Sequence, residues 1–143
     1  MAWFRTATAN LSQRPKTLLY LRYQSVSPNH RGVNLGIFAL VNSLGRGGEL
    51  SEEEHVIWRA GNDWYDAAYP NPSSTDPEIY DHELNPGAVA WFKDSAHHLL
   101  ERVEPYLKLL DAHQIGWEKL QSKSPGTVIY EDDVQIIVVP PAR

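Results

Sequence analysis

The spacing of apolar residues changes along the chain. Thr17 to Val26, TLLYLRYQSV, is rich in β-forming residues and predicts a first strand, ended by the turn Ser27-Pro28-Asn29. Val33 to Leu44, VNLGIFALVNSL, is apolar on nearly every side; its length and the following Gly45 predict a buried central helix. Arg46-Gly47-Gly48 reads as the next loop. Ser51 and Glu54 then have the spacing of a capping box and open a helix over 51–69 that stops at Pro70. Along it, His55, Trp58, Asn62 and Tyr65 share one line and Val56, Ala60 and Trp64 another, because residues three and four apart face the same way.

Beyond Pro70, the proline-containing acidic stretch 71–85 reads as a long irregular connection, and such connections inside a domain are often functional. Asn85 and Pro86 have the chemistry of a helix start, which predicts a third helix over 86–103, with a further one from Pro105 to Gly116. Trp117 to Lys123 is a weak strand. Ser124-Pro125-Gly126 suits a type II turn, and TVIYE with VQIIVVP makes a hairpin around Asp132-Asp133. The expected fold is therefore α+β: a mostly antiparallel sheet, made from one N-terminal strand and a C-terminal three-strand meander, packed on three to four helices. Residues 1–15 read as a loosely packed lead-in to a single domain over 16–143.

Leu18 to Leu21 and Ile136 to Val139 are apolar at both alternating positions, so both faces of the sheet call for a cover. Helices cover one. The lead-in with Trp3 and Phe4, or a second copy in a homodimer, is a candidate for the other.

Composition narrows the function classes. With 143 residues, 42% hydrophobic positions and five tryptophans, the chain can bury a core without staples. The absence of cysteine removes disulfides, thiolate catalysis and cysteine-held metal. No apolar run is long enough to span a membrane, and the start lacks a secretory signal, so a cytoplasmic protein without a membrane partner is expected. The first 48 residues carry six basic groups and no acid, and all eighteen acids follow. Two halves that neutralise each other explain this, and the overall −5 argues against nucleic acid as a partner.

No motif fixes a reaction. The stripe His55, Trp58, Asn62, Tyr65 reads either as core or as the wall of a small-molecule pocket, with Trp91 facing it from helix 86–103. His30 and Arg31, just before the central helix, mark a place for a phosphate or carboxylate at a helix N-terminus. His97 with Glu101, and the loop acids Asp76, Glu78, Asp81 and Glu83 with His82, do not complete a metal site; no metal and no cofactor is expected.

Three readings stay open. The leading one is a binding domain for a compact organic ligand or a protein partner, in an aromatic pocket between helices 51–69 and 86–103. A cofactor-independent acid–base enzyme would use His55 or His98, oriented by Asp66, Asp81 or Glu101, with Arg31 holding an anion. The third is a homodimer in which the sheet is the interface.

Overall fold

In the computed structural model, which describes residues 18–141, five strands form one sheet: β1 (Tyr20–Ser25), β2 (Val89–Lys93), β3 (Trp117–Ser122), β4 (Thr127–Glu131) and β5 (Gln135–Val139). Their lateral order is β3-β1-β2-β5-β4, and every neighbouring pair is antiparallel. The helices are α1 (Ile37–Arg46), α2 (Glu52–Ala68), the short α3 (His97–Leu100) and α4 (Glu104–Ala112). The class is α+β with an antiparallel sheet, as the pattern predicts.

The arrangement of strands differs from the expected one in two respects. Val89–Lys93, expected inside a helix over 86–103, is the central strand β2, and only α3 remains of the helix. The reason is burial on both sides. Phe92 faces the helices and Trp91 the opposite face, so the run is apolar throughout and periodicity does not distinguish strand from helix. Gly87, at φ +74°, turns the chain into the strand in a conformation that other residues avoid. The three C-terminal strands are also not a meander. β4 and β5 form the expected hairpin at one edge, but β3 pairs with β1 along its whole length, from Tyr20↔Ser122 to Ser25↔Trp117, at the other edge.

The main core lies between the sheet and the helices, around Leu21, Ile37, Val41, Phe92, Leu99 and Leu110. A smaller cluster of Trp91, Ile136 and Val138, joined by Tyr20, Val89 and Leu120, occupies the opposite face. The proposed lead-in 1–15, with Trp3 and Phe4, lies outside the described residues.

α2 begins where its capping chemistry places it. The Ser51 hydroxyl accepts from the Glu54 N–H at 3.1 Å, and the Glu54 carboxylate accepts from the Ser51 N–H at 2.9 Å. α1 starts later than the apolar run does. Residues 33–35 are non-helical, Ser25 donates its N–H to the Leu35 carbonyl, and Gly36 is an N-cap without a side-chain partner.

Candidate functional site

The α2 stripe divides between core and cavity. Trp58 is buried against Gly45, and its indole N–H donates to Asn42 Oδ1 at 2.8 Å. Asn62 donates to the same oxygen at 2.9 Å, and its own Oδ1 accepts from the Tyr106 hydroxyl at 2.5 Å. An indole nitrogen only donates, so this bond fixes which end of Asn42 is oxygen, and the rest of the chain follows from it. One turn further on, Tyr65 donates to the Leu99 carbonyl at 2.6 Å. His55 is exposed, with its ring edge-on to Trp58 at 5.2 Å.

Beyond Trp58 a cavity of about 300 Å³ opens between the helices and the sheet. One wall is the C-terminal half of α2, with Asn62, Tyr65 and Asp66, and Tyr69 just past its end. α1 contributes Phe38 and Asn42, four residues apart and so on one face, with Gly36 at the helix start. The sheet supplies Arg22, Tyr23, Ala90, Phe92 and Gln135, and the crossing after α2 supplies Pro72 and Tyr80. Phe38 meets Tyr65 at 4.7 Å and Phe92 at 6.3 Å, and Tyr69 stacks on Phe92 at 5.3 Å. The volume lies at the lower end of the range of small-molecule cavities, and the lining mixes aromatic with polar side chains.

The crossing is held by local bonds. Asn71 accepts from Ser73, Asp76 from Glu78, and Asp81 from Glu83 and Leu84, so these side chains complete turns. Pro72 and Ile79 are buried, and Gln135 reaches across to the Pro70 carbonyl at 2.9 Å. Gln135 also donates to Asp132. Burial alone would raise the Asp132 carboxyl, but bonds from Gln135, Val134 and Tyr130 outweigh it and hold it below the usual range.

Arg22 is the distinctive group. β1 and β2 pair only at Tyr20↔Lys93 and Leu21↔Phe92; just past that point the Arg22 side chain donates to the Ala90 carbonyl at 3.1 Å. It also donates to the Asn34 carbonyl at 3.0 Å and to Gln24 at 2.9 Å. Those bonds use three of five guanidinium N–H groups. All three acceptors are neutral, and among the described residues no carboxylate pairs with it. Burial pushes its pKa down to about 10, against the opposing pull of Tyr80 and Tyr69, so it remains a cation at neutral pH. A side chain built on Gly36 would approach its terminal nitrogens at 3.5 and 3.6 Å, which places the start of α1 beside the charge. Burial raises the Tyr69 and Tyr80 phenols above their ordinary value, so both are neutral O–H groups. Asp66 is the one carboxylate among the described lining residues.

The other expected site residues are dispersed. Trp91 projects to the opposite sheet face, because its segment is a strand, and its indole N–H has no hydrogen-bond partner among the described residues. His30 and Arg31 are exposed in the turn before residues 33–35. The arginine beside the start of α1 is Arg22. His98 is exposed on α3, and neither it nor His55 lines the cavity. No three metal-ligating side chains converge among the described residues, and no described helix is long and apolar enough to cross a membrane.

Arg22 and Asn42 line the cavity and were not among the residues expected there from the sequence. The signal for each was a polar group that follows an apolar run: Arg22 after LLYL and Asn42 after IFALV. No protein-family model, curated protein or solved structure matches this chain.

Proposed function

We propose that this protein is a binding domain for a compact organic anion, taken into the cavity between α1, α2 and the sheet with its acid group on Arg22. The observation that carries this reading is the guanidinium itself. A half-buried charge is costly unless an opposite charge or a set of directed bonds compensates it, and among the described residues only neutral acceptors do so. A carboxylate or phosphate supplies the missing charge and can accept from the N–H groups that those bonds leave free. The surroundings favour the same ligand. The start of α1 contributes a partial positive charge, and Tyr69 and Tyr80 contribute neutral hydroxyls. Phe38, Tyr65 and Phe92 supply apolar contact area for the ligand body.

A binding role is preferred to acid–base catalysis because His55 and His98, the two histidines suited to carry a proton, stand outside the cavity. The test is native mass spectrometry of the protein purified from its own host, beside Arg22→Met prepared identically. A retained acidic small molecule in the first and none in the second supports the reading. Equal retention of the same molecule by both contradicts it.

A further inference from the structure

The Asn42 amide is held in one orientation by the protein and leaves one function unused. Its Oδ1 accepts from both Trp58 and Asn62, and this double bond geometry puts Nδ2 on the other side of the carboxamide. Among the described residues Nδ2 donates to nothing, while Asn42 lines the cavity. Asn62 cannot turn to satisfy it, since Tyr106 holds its oxygen. Asn42 is thus a preset donor, aimed by Trp58 and, through Asn62, by Tyr106.

From Gly36, beside Arg22, to Asn42 is six residues of helix, about 9 Å along the axis at the usual rise. Side chains lean toward the helix N-terminus, which shortens the gap between the two donors. Phe38 lies between them on the same helical face.

From this geometry we infer that the ligand is bifunctional: an acid at one end, a flat apolar body over Phe38, and a neutral acceptor oxygen (a carbonyl or ether) at the other end, bound by Asn42 Nδ2. This rests on the Arg22 reading and adds the second contact. A para-substituted aromatic acid has this layout. Asn42 is the specificity-determining group; Asn62 and Tyr106 are positioning residues.

The experiment measures binding of 4-acetylbenzoate and 4-isopropylbenzoate by ligand-observed NMR. The two share an acid and nearly a shape, and differ in one carbonyl. Wild-type protein is expected to prefer the acetyl compound by about tenfold, the worth of one directed hydrogen bond. The informative variant is Asn42→Asp. It keeps an oxygen for Trp58 and Asn62, so the fold survives, but replaces the donor with an acceptor. Its effect on the common carboxylate cancels in the ratio, and the preference should vanish or reverse. A wild-type ratio near one, or an unchanged ratio in Asn42→Asp, overturns the assignment of Asn42 and leaves Arg22 standing. If neither compound binds folded wild-type protein, the Arg22 reading falls, and this inference with it.

Discussion

In the N-terminal half of α2, the Trp58 indole lies against Gly45 and gives its N–H to Asn42, while just past the C-terminal end Tyr69 stacks on Phe92 with no hydrogen bond to its hydroxyl among the described residues. The two ends use the same residue types for different purposes. Around Trp58, polar tips are paired inside the protein: indole to amide, amide to amide, phenol to amide, and His113 to Glu54 at 3.0 Å. Around Tyr69, the aromatic surface borders a cavity, and the nearby cation has no counter-charge among the described residues. Trp58 is sealed with its tip paired, whereas Tyr69 borders the cavity with its hydroxyl unpaired among the described residues.

On that contrast, the largest stability effects belong to the sealed end. Trp58→Ala should cost about 3–5 kcal/mol, as expected for deleting a buried aromatic side chain. Gly45→Ala should also destabilise strongly, because the new methyl would meet the indole ring. Urea unfolding checks both, and a loss under about 1 kcal/mol in both would remove the distinction between the two ends.

Alkaline pH tests both ends together. Burial holds the phenols of Tyr65, Tyr69 and Tyr106 well above their ordinary value. The unfolded chain therefore releases these protons first. Their contribution to stability is complete below the unfolded value of about 10 and declines as the pH rises above it. Tyrosinate absorbance should thus rise together with loss of the folded circular-dichroism signal. Three phenols ionising in the intact fold would show that they are open to water.

Tyr106→Phe is a smaller perturbation. It removes the donor to Asn62 and leaves that oxygen unpaired, at a cost of about 1–3 kcal/mol by thermal or urea unfolding. The acetyl over isopropyl preference should fall as well, since Asn62 loses its anchor. A stability loss without a change in that preference would confine Tyr106 to the core.

The smallest stability effect is expected at the open end. Arg22→Met loses three bonds, to two backbone carbonyls and to Gln24, but removes a charge that no described carboxylate pairs, so the net change should stay within about 1 kcal/mol. A large destabilisation would mean that Arg22 serves mainly to join β1 to β2.

The sealed end was the more legible in the sequence. Ser51 and Glu54 announce the start of α2 by local chemistry, and the Pro70 break announces its end. β1, the β4–β5 hairpin and the overall class follow from residues close together in the chain. The open end depends on distant pairings. β2 carries an apolar run that fits a helix equally well, and only its place between β1 and β5 makes it a strand. That error moved Trp91 to the wrong side and hid the wall formed by Ala90 and Phe92. Strand order is illegible for the same reason: nothing local sends Trp117–Ser122 to pair with β1 rather than β4. Arg22 and Asn42 stand out as the first polar residues after apolar runs, but only the structure shows that both line one cavity.

The central claim is that the Arg22 charge makes the cavity select anions, and its most direct measurement compares benzoate with benzamide at neutral pH by ligand-observed NMR. The two probes share a shape and differ in charge. Wild-type protein should prefer benzoate by at least about tenfold, as a charge-assisted bond pair implies, and Arg22→Met should lose the preference while remaining folded. Equal affinity for the two probes in wild type, or a preference that survives in Arg22→Met, would contradict it.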